Sequence, residues 1–534
     1  MSEFVVLGDE AVALGAIHGG VSSCYGYPGT PSTEVMEYLL EYSKGKGAPF
    51  ARWSSNEKTA LEEGLGTSFA GKRAIVTMKH VGLNVAADAF MNGALLDIKG
   101  GLVIVVADDP GMHSSQNEQD SRFFADFAKV MCLEPVNQQQ AYDMTREAFD
   151  LSEKFNIPVV VRLVTRLSHS RASIVTSTPR AENPLDKALN KRDWILLPAN
   201  ARRRWDSLLT RQKEMLEYTE FTASNPLKIN KENTSRGVIT TGLGYNYFME
   251  NASELADNPS HLHIGAYPIP EDKIRALADC VDEIVILEEG YPFVERLLRG
   301  LLPISTSIKG KMDDEVPMQG ELTPDNIRPV LGLAPRTVSV SSMELPGRPP
   351  QLCMGCPHDD TFRVIKEVQA ELDESTVTSD IGCYALAALP PLEVPETIIC
   401  MGASITAAKG ASEAGLNNVM AVIGDSTFLH SGLTGLVDCV SCDTDITIII
   451  VDNETTAMTG GQDTILPSSR LENVVRGFGV EEAHLLTIPA HRKFHEENKE
   501  KLRKELSHKG VSVIIAVREC VETARKVKKK ESAS

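Results

Sequence analysis

Positive charge is scarce in this chain. Its 534 residues include 54 Lys and Arg against 73 Asp and Glu, which gives a formal net charge of −19 at pH 7. Because a phosphate backbone repels such a surface, the charge argues against nucleic acid as the main partner. The one basic run, KVKKK at residues 526–530, is interpreted as a solvated tail.

Long hydrophobic runs are absent as well. The longest, ITIIIV at residues 446–451, has the length of a strand, whereas a helix that crosses a bilayer needs about 20 apolar residues. The first residues include Glu3, Asp9 and Glu10, where a secretory signal would be basic and then apolar. We therefore expect a cytoplasmic protein that does not enter a membrane.

Cysteine is sparse, and repeats of short period are not evident. Ten cysteines in a chain of this length do not make a disulfide scaffold. In a reducing compartment, the C-x-x-C pair Cys353 and Cys356 is interpreted first as a metal or redox site. A single core rarely grows beyond about 250–300 residues, so the length indicates about three domains.

What the sequence does contain is a regular alternation of strand-like and helix-like segments. Short apolar runs bounded by turn residues are followed by helical patterns. This alternation predicts an α/β fold whose parallel sheets are covered on both faces. The predicted strands include KRAIVTM (72–78), GGLVIVVADDP (100–110), IPVVVRLVTR (157–166), ETIICMG (396–402), VMAVIGDS (419–426) and DITIIIVDN (445–453).

Shifts in composition divide the alternation into three doubly wound domains. We predict them at residues 1–190, 236–335 and 336–534. Residues 191–235 are charged and lack buried strands, so they are interpreted as a connector with one or two exposed helices. A Pro- and Ser-rich linker, APRTVSVSSMELPGRPPQ at residues 334–351, leads into the third domain.

The third domain contains the strongest chemical signal. One predicted strand ends in Gly424 and Asp425, and the next ends in Asp452 and Asn453. A right-handed strand–helix–strand connection brings both ends to one edge of the sheet, where α/β proteins bind ligands. Glycine lets the backbone approach a diphosphate, and the N–H groups of the next helix can bind it. Two ordinary loop turns are the alternative interpretation.

A diphosphate also needs a cation, and Mg²⁺ prefers oxygen ligands. Asp425, the side-chain oxygen of Asn453 and a backbone carbonyl near Thr455 are the predicted ligands. Together with MTGGQ at residues 458–462, this layout resembles the thiamine diphosphate motif of 2-oxoacid:ferredoxin oxidoreductases. The resemblance implies that the cofactor is contacted by Gly424, Asp425, Ser426, Asn453, Thr455, Met458 and Thr459.

A thiamine enzyme also needs a carboxylic acid at the aminopyrimidine end of its cofactor, partly buried so that its pKa suits proton exchange. The segment WSSNEKTALEEG at residues 53–64 resembles the corresponding segment of the indolepyruvate enzymes, which implies that Glu57 has this role. By itself, Glu57 would be interpreted as a charge on a helix surface. Ala60, Gly64 and Gly66 indicate close helix packing instead.

Three further stretches resemble the same superfamily. GYPGTPSTE at residues 26–34 resembles a turn in which a threonine, here Thr30, meets the substrate carboxylate, although a plain turn with a helix cap is also compatible. MKHVGLNVAAD (78–88) and ADDPGMHSSQNEQDSR (107–122) imply an active-site loop. His80 and His113 are substrate-side candidates, with a purely structural role as the alternative for each.

The cysteines follow a pattern of their own. The order of Cys353, Cys356, Cys383 and Cys520 resembles that of the ligands of a proximal [4Fe–4S] cluster in the superfamily. Spacing alone is equally compatible with zinc, and free thiols without metal are a further alternative. The other cysteines of this region, Cys400, Cys439 and Cys442, are interpreted as core or incidental.

The resemblance to the alpha subunit of the indolepyruvate:ferredoxin oxidoreductase family covers nearly the whole chain. It implies a pyrimidine domain, a transketolase-C-like middle domain and a diphosphate domain. It further implies oxidative decarboxylation of an arylpyruvate with coenzyme A to an aryl-acetyl-CoA, and electron transfer to ferredoxin. A smaller catalytic subunit would complete a heterotetramer of two large and two small subunits, with the cofactor held across a subunit boundary.

Two features depart from the family pattern. The chain ends at VETARKVKKKESAS, without the usual ferredoxin-like module, and Asp359 occupies a position that is usually Arg. The route by which electrons leave is therefore open. A non-oxidative thiamine-dependent decarboxylase or ligase is one alternative function, and a catalytically silent subunit that only binds a partner is another.

Overall fold

The computed structural model describes residues 3–336, 347 and 350–531, and the side chains of 527–531 are not among the described parts. Most of the predicted linker at 334–351 and the side chains of most of the basic run at 526–530 therefore lie outside the described residues. Contacts divide the chain into two compact units, residues 1–340 (unit 1) and 341–534 (unit 2). In the part of the chain that is described, no helix has both the length and the apolar character required to cross a bilayer.

Unit 1 alternates strands and helices along most of its length. Its strands are β1 (Glu3–Leu7), β2 (Ser23–Gly26), β3 (Phe50–Trp53), β4 (Ala74–Lys79), β5 (Leu102–Asp108), β6 (Met131–Leu133), β7 (Val159–Val164), β8 (Arg171–Val175), β9 (Leu227–Lys228), β10 (Gly237–Thr241), β11 (Ser260–Ile264), β12 (Ala266–Tyr267), β13 (Glu283–Leu287) and β14 (Ser307–Lys309). Its helices are α1 (Gly8–His18), α2 (Thr33–Ser43), α3 (Glu57–Phe69), α4 (His80–Gly93), α5 (Arg122–Ala128), α6 (Gln138–Phe155), α7 (Thr165–His169), α8 (Pro198–Phe221), α9 (Gly244–Ala252), α10 (Glu271–Ala278) and α11 (Phe293–Leu301).

Two sheets form the framework of unit 1. A seven-stranded sheet has the order β12-β6-β7-β5-β4-β2-β3, and a five-stranded sheet has the order β14-β13-β10-β11-β9. In the first sheet the pairs from β6 to β3 are parallel, so these strands end at the same edge. Every residue of β4 and β5 is buried, because helices cover both faces. The predicted α/β fold with parallel sheets is confirmed.

A buried network of charges joins the two sheets of unit 1. The guanidinium of Arg162, on β7, lies 2.6 Å from Asp108 and also pairs with Glu134. The guanidinium of Arg122 lies 3.0 Å from Glu288, which follows β13 of the second sheet. Both arginine side chains are fully buried. Such charges are tolerated inside a protein because each has a partner.

The strands of unit 2 are β15 (Thr376–Ser379), β16 (Thr397–Ile398), β17 (Val419–Gly424), β18 (Ile446–Asp452), β19 (Thr455–Thr456), β20 (Gln462–Asp463), β21 (Leu485–Pro489) and β22 (Val511–Val517). Six of them form one parallel sheet in the order β16-β15-β17-β18-β22-β21. Its helices are α12 (Pro357–Gln369), α13 (Ala403–Glu413), α14 (Asp425–Thr427), α15 (Leu433–Ser441), α16 (Ser468–Gly477), α17 (His495–Leu506) and α18 (Val521–Glu531).

Two local expectations differ from the structure. The predicted strand at 396–402 is only Thr397–Ile398, because the chain turns at Gly402, whose φ is +89°, to begin α13. The predicted connector contains one long helix, α8, which is not simply exposed. Its Leu208 and Met215, seven residues apart on one face, are buried in the core of unit 1.

Candidate functional site

In unit 1, the predicted catalytic residue Glu57 is the first residue of α3. The side chain of Asn56 accepts a hydrogen bond from the N–H of Thr59 at 2.8 Å and caps this helix. Glu57 is buried, with 5% of its surface exposed. Its carboxylate lies against Gly82 in the first turn of α4, where a Cβ atom would come within 2.6 Å of Oε1. Glycine at position 82 therefore makes room for the carboxylate.

We expect Gly82→Ala to displace Glu57 and to lower turnover roughly 100-fold, because a shift of about 1 Å in a reacting group can cost that much. Steady-state kinetics on the purified complex measures the effect. The matched control is Gly66→Ala on α3, where the added Cβ would meet no atom within 4 Å beyond the local helix backbone, so the close packing expected at this glycine is absent. That change should leave activity intact and stabilise the helix by about 0.5–1 kcal/mol. Equal activity of the two variants would contradict the role of Gly82.

A buried lysine lies beside Glu57, and the sequence analysis did not single it out. Lys79 ends β4, and a Cβ at Gly29 would lie 3.3 Å from its Cδ. Its Nζ donates a 3.4 Å hydrogen bond to the carbonyl of Ser114. Burial lowers the pKa of Lys79 to about 8, against the opposing effects of Asp109 and Glu57. A lysine at the end of an otherwise apolar strand was the available signal.

The predicted active-site loop lies over the same edge of the sheet. Asp109, just after β5, accepts hydrogen bonds from the N–H of Ser114 at 2.8 Å and from the hydroxyl of Ser115 at 2.7 Å. The hydroxyl of Ser114 donates in turn to the carbonyl of Thr30 at 3.2 Å. The structure therefore brings Thr30, Glu57 and this loop together around Lys79.

The two histidine candidates have different surroundings. His80, the first residue of α4, is buried, and its Nε2 lies 3.2 Å from the carbonyl of Asn117 in the loop. Burial lowers the pKa of His80, which favours the neutral ring. His113 is half-exposed, and its Nε2 lies 3.4 Å from Glu321, a residue that follows the five-stranded sheet. His80 belongs to the cluster around the loop, whereas His113 lies towards the second sheet.

In unit 2, the two predicted strand ends do lie side by side. β17 and β18 are parallel with Gly424 opposite Val451, which places Asp425 next to Asp452. Both carboxylates are buried. Burial and the charge of Asp452 raise the pKa of Asp425 well above its usual value. Among the described residues, Oδ2 of Asp452 has no hydrogen-bond partner. A divalent cation with oxygen ligands fits this pair, and Asp452 was not in the predicted ligand set.

The other predicted cofactor residues surround this pair. Oδ1 of Asn453 accepts the N–H of Thr455 at 3.2 Å and retains a second lone pair for a cation. The hydroxyls of Ser426 and Thr456 are 2.9 Å apart. A Cβ atom at position 424 would lie 2.7 Å from the ring of Tyr384, so this position has room for glycine and not for a residue with a side chain.

Met458 and Thr459 lie on the turn after β19. The hydroxyl of Thr459 donates to Oε1 of Gln462 at 2.6 Å, which closes the turn, and the side chain of Met458 is half-exposed. The turn that carries Met458 and Thr459 follows Asn453 and Thr455 in one continuous segment.

The four predicted cluster ligands share one region of unit 2. Burial and the neighbouring Cys356, Cys520 and Cys353 together raise the pKa of the Cys383 thiol to about 12, so all three lie near Cys383. The thiol of Cys356 also faces the backbone N–H groups of His358 and Asp359 at the start of α12. Four thiols in one place are a donor set for a metal centre.

The spacing of these thiols bears on the kind of metal. Over the residues that the structure describes, groups of three or more potential ligand atoms within 4.8 Å of one another do not include these cysteines. A tetrahedral zinc site, with Zn–S near 2.3 Å, needs sulfurs that close. An iron–sulfur cluster separates its thiolates by its own iron atoms. In the described structure, no three of these thiols lie as close together as the ligands of a single zinc ion.

The cysteine region adjoins the metal and diphosphate motif. The N–H of Cys520 donates to the carbonyl of Asn453 at 3.1 Å. On the other side, Nδ2 of Asn453 lies 3.4 Å from Nε2 of His358, two residues after Cys356. Burial lowers the pKa of His358 to about 4, so its ring is neutral. The segment that contains Cys520 therefore contacts the backbone of Asn453, and the segment that contains Cys356 contacts its side chain.

Two family models match the chain. Residues 14–224 match the thiamine diphosphate-binding domain of pyruvate flavodoxin/ferredoxin oxidoreductases. Residues 380–516 match the C-terminal TPP-binding domain of thiamine pyrophosphate enzymes. The first match contains Thr30 and Glu57, and the second contains Asp425 and Asn453.

Curated relatives resemble the chain over almost its full length. The indolepyruvate oxidoreductase subunit IorA of Archaeoglobus fulgidus is 37% identical over 548 aligned positions, which cover 96% of this chain and 86% of the relative. The subunit of the same name from Methanothermobacter marburgensis is 33% identical, with 97% and 86% covered. That from Pyrococcus horikoshii is 35% identical, with 97% and 85% covered.

Proposed function

Because the chain belongs to the IorA family of thiamine diphosphate-dependent 2-oxoacid oxidoreductase subunits, we propose that it is the large subunit of an enzyme that oxidatively decarboxylates arylpyruvates such as indolepyruvate and phenylpyruvate. Coenzyme A accepts the acyl group, and ferredoxin accepts the electrons. The observation that carries the oxidative reaction is the set of four thiols next to Asn453. A decarboxylase without electron transfer has no use for such a set.

Unit 2 supplies the metal and diphosphate contacts in this proposal. Asp425, the side-chain oxygen of Asn453 and the carbonyl of Thr455 would hold Mg²⁺, and the buried carboxylate of Asp452 would strengthen the site. When bound, thiamine diphosphate supplies the carbanion chemistry of decarboxylation. The remaining contacts to this group come from Gly424, Ser426, Met458 and Thr459.

Unit 1 supplies the proton and substrate contacts. Glu57 would hydrogen-bond the aminopyrimidine of the bound cofactor and hold the proton that this ring exchanges, and the buried position at the start of α3 suits that role. Thr30 orients the carboxylate of the 2-oxoacid, and His80 faces the substrate from the same cluster. His113, which lies beside Glu321, is a second substrate-side residue in this proposal. The division into a pyrimidine domain (1–190), a transketolase-C-like domain (236–335) and a diphosphate domain (336–534) is part of the same proposal.

The four cysteines hold a [4Fe–4S] cluster in this proposal. We expect Cys356→Ser to remove about four iron and four sulfide per large subunit, because a cluster of this type needs all four thiolates. Iron and sulfide analysis of anaerobically purified complex measures the loss. Cys442→Ser, at the exposed end of α15, should leave the iron content unchanged. Zinc in place of iron, or full iron in Cys356→Ser, would overturn the cluster assignment.

The proposed assembly contains a smaller subunit that carries the remaining catalytic domain, in a heterotetramer of two large and two small subunits. The curated relatives are themselves named as subunits. Native mass spectrometry of the complex purified through the large subunit tests this composition.

The overall test is an assay of the anaerobic complex with indolepyruvate, coenzyme A and a viologen dye. Dye reduction that depends on coenzyme A, with carbon dioxide and an aryl-acetyl-CoA as products, is the expected result. Carbon dioxide without dye reduction would indicate a non-oxidative decarboxylase. Failure to bind thiamine diphosphate in calorimetry would indicate a subunit without catalytic function.

A further inference from the structure

Lys79 is a buried cation with few partners. It is 9% exposed, and over the described part of the chain it forms no ion pair. Its amine makes a long hydrogen bond of 3.4 Å to the carbonyl of Ser114. An ammonium has three donors, and burying its charge without an anionic partner is unfavourable. Packing alone therefore does not explain the presence of a lysine at this position.

The nearest carboxylate on the loop side is already occupied by other donors. Asp109 accepts hydrogen bonds from the N–H of Ser114, the hydroxyl of Ser115 and the hydroxyl of Thr165, the last at 2.7 Å. These contacts fix the loop and lower the pKa of Asp109 against the effect of its burial. The charges of Asp109 and Glu57 oppose the larger effect of burial, which lowers the pKa of Lys79.

The place of Lys79 matches the expected position of the substrate carboxylate. The aliphatic part of Lys79 lies under Gly29, the residue before Thr30. Ser114 joins the two, because its carbonyl accepts from Lys79 and its hydroxyl donates to the carbonyl of Thr30. Lys79 and Thr30 are thus both hydrogen-bonded to Ser114, at the edge of the sheet where Glu57 also lies.

From this arrangement we propose that Lys79 binds the carboxylate of the 2-oxoacid and thereby selects α-oxoacids over neutral carbonyl compounds. The inference rests on the proposed function and adds to it the residue that recognises the charge of the substrate. Lysine serves here as a point charge, which suits a carboxylate that must later leave as carbon dioxide. The rival explanation is a structural role in which the amine only steadies Asp109 and Glu57.

Lys79→Met and Lys79→Arg in the complete complex separate these explanations. Loss of a hydrogen bond to a charged group should raise the KM for the 2-oxoacid roughly 10- to 100-fold in Lys79→Met, with kcat changed much less. Lys79→Arg keeps the charge and should recover a large part of this loss. Lys99→Met, which removes an exposed lysine paired with Asp186, is the control and should behave like the wild type.

A binding measurement gives a readout that does not depend on turnover. Calorimetry with 3-phenylpropionate and with its neutral amide compares a carboxylate with an isostere that lacks the charge. The wild type should bind the carboxylate more tightly, and Lys79→Met should bind the two alike. If the amine of Lys79 has only a structural role, Lys79→Met will still bind the carboxylate more tightly than the amide.

The pH dependence provides a second check. The groups facing Lys79 are Glu57 from α3, His80 from α4 and Asp109 from the loop. Because the amine loses its charge near pH 8, kcat/KM should fall as the pH rises through that region in the wild type and not in Lys79→Arg. If the wild type binds no thiamine diphosphate, the proposed function fails. If it turns over normally but Lys79→Met keeps its KM and its carboxylate preference, only the role of Lys79 fails.

Discussion

Replacing Glu57 with glutamine is expected to lower kcat by a factor of about 10²–10⁴, the usual contribution of a positioned acid or base. The substitution keeps the size of the side chain and its place against Gly82, and it removes the proton that the carboxyl group exchanges. Thiamine diphosphate should still bind, because Asp425 and Asn453 are unchanged. Steady-state kinetics gives the loss of turnover, and calorimetry gives the affinity for the cofactor.

The control for this experiment lies on the same helix. Glu62 is half-exposed on α3, where it pairs with Lys58, so Glu62→Gln removes a charge from solvent rather than from the cluster. It should cost less than about 1 kcal/mol of stability and leave kcat unchanged. Wild-type turnover in Glu57→Gln would remove Glu57 from the mechanism, whatever the fate of the other residues.

The second large effect is expected at Asp425, where one substitution should weaken cofactor binding and yet stabilise the protein prepared without cofactor. Asp425→Asn should weaken the binding of Mg²⁺ and thiamine diphosphate by at least about 100-fold, because even partners outside the metal's ligand shell often contribute 10- to 100-fold. The same change should raise the melting temperature of the protein prepared without metal and cofactor. Calorimetry and thermal unfolding measure the two effects.

The sign of the stability effect follows from the pKa of Asp425. Burial and the charge of Asp452 raise this pKa in the folded protein, whereas the unfolded carboxyl titrates near 4. Between these two values the unfolded state gives up its proton more readily, so the free energy of unfolding falls as the pH rises. Asparagine carries no charge and removes this cost.

With Mg²⁺ and thiamine diphosphate present, the wild type should be more stable than Asp425→Asn, the reverse of the order expected without them. A ligand present at about 1,000 times its Kd stabilises the folded state by about 4 kcal/mol, and Asp425→Asn forfeits that gain. Asp438→Asn, on the exposed face of α15, is the matched control and should keep both binding and the cofactor-dependent shift. An apo Asp425→Asn protein that melts below the wild type would contradict the repulsion between Asp425 and Asp452.

The sequence predicts the parts of this molecule that depend on local pattern. The apolar run at 445–453 is β18, and the strand that ends in Gly424 is β17, because continuous apolar runs mark strands buried on both faces. Parallel pairing then brings Asp425 beside Asp452 as the motif requires. The long match to a known family supplied the remaining expectations about the site.

Features that depend on distant contacts were not predicted. Lys79 ends an apolar strand in the sequence, but only its packing against Gly29 and its contacts with Ser114 and Glu57 show that it is buried in the site. The pairing of Gly82 with Glu57 joins residues on two helices, and nothing in either segment alone indicates it. Leu208 and Met215, the buried residues of α8, are seven residues apart in the sequence. The charged residues around them hide this spacing, so the buried side of the helix was not predicted.

The buried arginines of unit 1 have a consequence for protein engineering. Changing Arg122 singly leaves the buried carboxylates of Asp120 and Glu288 without their cation, at a cost of about 3–5 kcal/mol, which is a large share of the 5–15 kcal/mol that holds a typical fold. A chimera that takes the five-stranded sheet from a homologue must therefore carry over both members of each such pair. Crossover points that separate Arg122 from Glu288 should yield insoluble hybrids, whereas points that exchange the pair intact should yield folded ones.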